Sequence, residues 1–172
     1  SDLQYYKSFM EWGMDGEANA FLEEVFLWLS ENLPLNPNPK KLCWGDSRLG
    51  NVLFENFQVK SLLDWEMATI GDPLCDLAWG LTTDDVSSHG LNIEKLPGSI
   101  ANEEAIKFWE KNTGYSADNF FYYRILCLFK FSVIMIRVAK KLIHNEIMPL
   151  DSDFHVNNHV SNYLRQEFNE KN

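Results

Sequence analysis

The sequence predicts an α+β domain, mainly α, in which helices surround short antiparallel β ribbons. Three observations carry this. Apolar residues recur at the three and four spacing of an amphipathic helix between Asp15 and Leu33. A longer apolar stretch around Ile125 to Leu142 is interrupted by Lys130, Arg137, Lys140 and Lys141, which marks a core helix and not a membrane span. Two brief apolar runs flank a polar turn around Asn56 to Gln58. With 172 residues, 45% hydrophobic content, six Trp, six Tyr and twelve Phe, the chain can bury a core as one domain or as one large lobe of a longer protein.

Taken in order, the first helix is expected from Asp15 to Leu33, with Phe21, Val25, Leu29 and Leu33 on one face and Pro34 as its stop. The segment PLNPNPKK is an irregular connector, too short to link domains. Lys41 to Trp44 reads as a short strand. Asn51 to Glu55 and Lys60 to Asp64 read as an antiparallel hairpin, in which Glu55 facing Lys60 would pair opposite charges. That register sets Asn51 opposite Asp64, with Cα atoms about 4.5 to 5.5 Å apart. Asp72 is an N-cap and Pro73 a first helical residue for a short helix to about Leu81. A polar loop from Thr82 to Ser99 follows, then a helix from about Asn102 to Thr113 stopped by Gly114, a long helix from about Ser116 to His144, and a polar tail helix from Ser152 to about Asn169.

A formal charge of -10 and a pI near 4.8 oppose a nucleic-acid partner, which clustered Lys and Arg would bind. Any phosphate ligand then needs a metal cation or a few locally placed basic residues. Cys43, Cys75 and Cys127 are odd in number and widely spaced in apolar sequence, so they read as reduced, buried thiols, and a cytoplasmic location is expected.

The chemistry concentrates in CWGDSRLGNVLF, residues 43 to 54. Asp46, Asn51 and Asp64 would gather at one end of the hairpin, and an all-oxygen donor set suits magnesium. Phosphoryl transfer asks for such a set: one carboxylate to orient the attacking hydroxyl, and an amide and a carboxylate to hold the metal on the phosphates. The plain alternative makes Asp46 a turn residue and Asn51 a cap at the start of a strand.

The strings WGDSRLGNVLF and LLDWEMATIGDPLCDLAW together resemble the aminoglycoside phosphotransferase and choline kinase superfamily over about forty residues. The Asp-x-Arg-x-Gly-Asn loop is similar to the branch related to the kinase-like domain fused to some acyl-CoA dehydrogenases. The flanking helices fit that family's C-terminal lobe more loosely. The resemblance implies a protein-kinase-like C-terminal lobe and a small-molecule kinase that moves the γ-phosphate of ATP to a substrate hydroxyl. It implies Asp46 as catalytic base, and Asn51 and Asp64 as the residues that hold Mg2+ and, through it, the nucleotide. Arg48 falls where a cation would face the transferring phosphate; a plain salt bridge is the other reading. Asp76 matches an Asp that hydrogen-bonds the backbone of the catalytic loop; a capping or solvent-facing residue inside a helix is the other reading.

Several residues have open readings. Trp44 stands where the family usually has His, and an aromatic ring there would brace the loop by packing. Glu66 is a second group near the metal or a surface carboxylate. Asp84 and Asp85 face a cationic substrate or are solvated loop carboxylates, the latter preferred. His89, His144, His155 and His159 read as surface residues. No Gly-rich phosphate loop and no strand Lys with a helix Glu precede Asp46, so the chain is expected to be the C-terminal lobe alone, inactive without an N-terminal nucleotide lobe as partner. The expected partners are ATP and a small hydroxyl substrate of unread identity, with no membrane partner. The rival reading is a non-catalytic, kinase-like binding or scaffold module.

Overall fold

In the computed structural model, which describes residues 2–171, the chain forms six α-helices and four short strands. In order these are α1 (Asp2–Met14), α2 (Ala20–Glu31), β1 (Lys41–Cys43), β2 (Val52–Glu55), β3 (Gln58–Leu62), β4 (Thr69–Gly71), α3 (Leu74–Ser88), α4 (Asn102–Thr113), α5 (Phe120–His144) and α6 (His159–Lys171). Contacts divide the chain into two compact units. One runs up to Leu33 and resumes at Ile125; the other is Pro34–Arg124. No helix among the described residues is long and apolar enough to cross a membrane.

In the first unit, Met10, Leu22, Val25, Leu29, Ile125, Phe129, Val133, Ile136 and Leu164 are buried. The helix expected from Asp15 begins instead at Ala20. Asp15 and Gly16 take left-handed φ angles of 56° and 88°, which end α1, and the Asn19 side chain accepts the Leu22 N–H to start α2. The tail helix likewise starts later than Ser152, because Asn158 Oδ1 accepts the N–H groups of Val160 and Ser161. His155 and His159 are half-buried, against the surface reading; His155 lies 3.4 Å from Glu17, and burial lowers the pKa of His159.

The second unit holds both ribbons. β1 pairs with β4, Leu42 opposite Ile70, and β2 pairs with β3. The β2–β3 turn is two residues long, with left-handed φ of 51° at Asn56 and 60° at Phe57, the geometry that matches strand twist in tight hairpins. The return strand therefore begins at Gln58, opposite Glu55, and a bulge leaves Lys60 unpaired before Ser61 meets Leu53. Lys60 still reaches Glu55 at 2.9 Å, but through its long side chain. The expected pairing of Asn51 with Asp64 does not form: Asn51 accepts the Leu63 N–H at 2.8 Å, one residue short.

Helix α3 organises this unit. The buried Asp72 carboxylate accepts the Leu74 N–H, the Asn38 N–H and amide, and the Tyr123 hydroxyl, so it caps the helix and pins the Pro-rich connector at once. Burial, with Cys75 and Asp72 nearby, raises the Tyr123 pKa. Asn38 also holds both the N–H and the carbonyl of Ser116, and α5 starts only at Phe120. Far from stopping near Leu81, α3 continues to Ser88, because Thr83, Asp85 and Ser88 face inward and find partners. Thr83 donates to the Trp79 carbonyl and Ser88 to that of Asp84. Asp85, expected in a solvated loop, is buried, and Lys95, Asn102 and Arg124 each donate to it at 2.7 Å. Burial would raise its pKa, but these partners hold it below the ordinary carboxylate value.

The first turns of α3 also shape residues 44–51. The Asp76 carboxylate accepts the Trp44 N–H at 2.7 Å and the Gly45 N–H at 2.8 Å, and Ser47 Oγ donates to the Asp76 carbonyl at 2.6 Å. Gly45 has φ of 91°, and a Cβ there would lie 2.2 Å from the Met67 carbonyl oxygen; a Cβ on Gly80 would lie 2.7 Å from that of Ser47.

Asp76→Ala leaves two loop amides without their acceptor and is expected to lower stability by about 1 to 3 kcal/mol; an unchanged denaturation midpoint would contradict the role drawn here. Asp85→Asn breaks a buried ion pair and is expected to lose about 3 kcal/mol at neutral pH. Because the folded pKa of Asp85 is depressed, its contribution is complete above its unfolded value and is lost as pH falls through the lowered one. Denaturation curves of both proteins from pH 7 to pH 2 should therefore converge below about pH 4.

Candidate functional site

Residues 44–51 make a tight polar loop between β1 and β2. The Arg48 N–H bonds to the Asp46 carbonyl at 2.9 Å, the Asn51 N–H bonds to the Arg48 carbonyl at 3.0 Å, and Leu49–Asn51 form a single 3-10 turn. These local bonds turn two side chains five residues apart toward one another. Asn51, buried, donates its amide to Asp46 Oδ2 at 2.6 Å and to the Asp46 carbonyl at 3.1 Å. Arg48 Nε donates to the same Oδ2 at 3.1 Å, its guanidinium half in solvent. Oδ1 is held by the indole N–H of Trp79 at 2.7 Å.

Of the residues singled out in the sequence, Asp46, Arg48 and Asn51 are thus together. Asp64 is not tied to them: its side chain is exposed, its backbone is left-handed at φ 62°, and no hydrogen bond joins it to Asp46 or Asn51. The one-residue shift of the hairpin accounts for the difference. Glu66 is exposed. Among the described residues no three His, Cys, Asp or Glu side chains cluster as a metal site. The Asn51 amide oxygen and the Asp64 carboxylate are both oxygen donors, and their chemistry suits a hard divalent cation. The cysteines are thiols, with Cys43 and Cys127 buried and Cys75 half-buried.

Trp44 braces the loop more firmly than packing alone requires. Its indole N–H donates to the Leu63 carbonyl at 2.7 Å and its ring lies 6.0 Å from that of Trp65. Trp79 is the functional-site residue that sequence reasoning missed. It lies one turn after Asp76 on α3, and only the tertiary fold brings its indole N–H to Asp46.

A cavity of about 480 Å³ opens beside the loop. Ser47, Arg48 and Leu49 form one wall; Thr83, Asp84 and Ser87 of α3 form another, with Ser99 and Ile100 completing it. Thr83, Asp84, Ser87 and Ser99, from the segment expected as a polar loop, line this space, and part of that segment is helical. Lys95 bridges Asp84 and Asp85, each at 2.7 Å, and so fastens the segment that carries Ser99 to α3. Burial disfavours the charged Lys95, but these two carboxylates outweigh it and raise its pKa.

Acyl-CoA dehydrogenase family member 11 from Gallus gallus is 33% identical over 138 residues, covering 72% of this chain and 18% of that protein. The Pongo abelii protein of that name is 33% identical over 124 residues, covering 66% and 16%. This chain thus spans less than a fifth of the length of these relatives. A solved structure from Ralstonia eutropha, assigned as an aminoglycoside phosphotransferase, superposes with a TM-score of 0.72 at 18% identity over 96% of this chain and 51% of its own, which shows a shared kinase-like fold. Residues 3–106 match the phosphotransferase enzyme family, and over this majority of its length the chain belongs to that family.

Proposed function

We propose that this chain carries the catalytic loop of a small-molecule kinase that transfers the γ-phosphoryl group of ATP to a substrate hydroxyl. The observation that supports this best is the 2.6 Å contact between Asp46 and Asn51, in a loop whose Ser47 and Arg48 line the neighbouring cavity. In this reading an acceptor alcohol enters the cavity beside Arg48, and Asp46 orients its hydroxyl and accepts its proton as the oxygen attacks phosphorus. The Asn51 amide nitrogen is committed to Asp46, so its oxygen and the Asp64 carboxylate are the groups that would hold Mg2+. That ion, when bound, neutralises phosphate charge. Arg48, half-exposed, would swing from Asp46 toward the transferring phosphoryl group and stabilise its charge.

The rival reading, a scaffold that has lost catalysis, drew on Trp44 standing in for His. Trp44 secures the loop by a hydrogen bond and by ring packing, and that argument loses its force. The nucleotide phosphates and adenine would be covered by a separate lobe; the phosphotransferase fold in the solved structure is about twice as long as this chain. The acceptor is an alcohol small enough for a cavity of about 480 Å³. A phosphate-transfer screen of the full-length gene product against hydroxyl metabolites would identify it, and no transfer to any acceptor would favour the scaffold.

Asp46→Asn keeps the size of the side chain and removes the proton-accepting carboxylate. Turnover is expected to fall by about 100-fold or more with ATP affinity nearly unchanged, and intact turnover of an identified substrate would return Asp46 to a turn residue. Asp64→Asn is expected to weaken magnesium-dependent nucleotide binding while the fold persists, because a neutral amide replaces a charged oxygen ligand. Calorimetric titration of both proteins with ATP and magnesium decides it, equal affinities removing Asp64 from the metal site.

A further inference from the structure

An aspartate side chain has two rotatable bonds, and a base that rotates freely spends little time aimed at its substrate. The Asp46 carboxylate has a strong reason to turn outward. Arg48 stands beside it with a half-exposed guanidinium whose fork matches two carboxylate oxygens, yet only Oδ2 meets it, through Nε at 3.1 Å. Oδ1 is turned the other way, onto the indole N–H of Trp79 at 2.7 Å. Trp79 cannot follow a moving partner: its side chain is 4% exposed, and its backbone lies in α3, one turn after the Asp76 that clasps the loop amides.

We propose that Trp79 is a positioning residue for Asp46, and that Oδ1 is the oxygen that receives the substrate hydroxyl. This rests on the phosphoryl-transfer reading of Asp46. A carboxylate offers roughly four lone-pair directions. Asn51 and Arg48 take those of Oδ2, and Trp79 takes one of Oδ1. Among the described residues the remaining direction on Oδ1 has no donor. Two rigid donors on different oxygens, Asn51 from the loop and Trp79 from the helix, fix the carboxylate plane. The vacant direction is thereby held in place before substrate arrives, and no side chain needs to rearrange during the reaction. The simpler view, that Asp46 only satisfies a buried indole, predicts no effect on turnover beyond any loss of stability.

The test removes the N–H and keeps the shape. Site-specific replacement of Trp79 by 3-benzothienylalanine in the full-length protein should lower kcat about 10- to 100-fold, with KM for ATP and the melting midpoint close to the parent values. Trp79→Phe should show the same split with a larger loss of stability. In ¹⁵N-labelled protein the Trp79 indole resonance, identified by its absence from the analogue, should move upfield in Asp46→Ala as its charged acceptor is lost. Full turnover in the benzothienyl protein, or an indole resonance indifferent to Asp46→Ala in an active enzyme, overturns this inference alone. Absence of transfer in the parent protein overturns the kinase reading and the positioning role together.

Discussion

Everything proposed for this chain depends on one carboxylate gripping two backbone amides. Asp76 accepts the N–H groups of Trp44 and Gly45 at 2.7 and 2.8 Å, and bonds of this kind to an ionised acceptor are shorter and stronger than neutral ones. The grip forces the chain through a left-handed step at Gly45, beside the Met67 carbonyl, where no side chain fits. It turns the backbone so that residue 46 points its side chain along α3 and residue 51 points back at it. A loop lacking this grip would still contain Asp46, Arg48 and Asn51, with nothing to hold them together.

The grip is only as rigid as the helix that supplies it. α3 is capped by Asp72, which also secures Asn38 and Tyr123, and its far end is anchored through Asp85 to Lys95, Asn102 and Arg124. Both anchors are buried carboxylates whose oxygens are satisfied, which is the condition under which buried charge is tolerable. One helix therefore fixes the loop on one side and the cavity wall on the other. Its polar residues face inward by design of the site, at the cost of the apolar stripe that normally announces a helix.

That cost explains what could be read in advance and what could not. The helical and ribbon architecture, the Asp72-Pro73 start, the Gly114 stop and the Asp46–Asn51 pair were legible because each follows from local chemistry: capping, left-handed glycine, five-residue spacing in a turn. α3 beyond Leu81 was illegible because Thr82, Thr83, Asp85 and Ser88 are buried polar residues, and the partners of Asp85 lie up to 39 residues away. The hairpin register failed for a similar reason. Phe57 takes a left-handed turn position that ordinarily asks for Gly, and a bulge absorbs Lys60, so charge pairing alone misplaced Asp64 by one residue. α1 was overlooked although Leu3, Tyr6, Met10 and Met14 carry the helical spacing; the expected start at Asp15 falls on the left-handed residue that ends it. Trp79 needed the tertiary fold, since nothing local links residue 79 to residue 46.

The most direct measurement of this account is amide hydrogen exchange at Trp44 and Gly45. If α3 holds the loop through Asp76, these two amides exchange as slowly as those in the centre of α3 and are released together with them, since the loop opens only when the helix does. Exchange at the rate of an unstructured peptide while α3 stays protected would mean that the loop is not held, and that the arrangement of Asp46 and Asn51 has no structural guarantor.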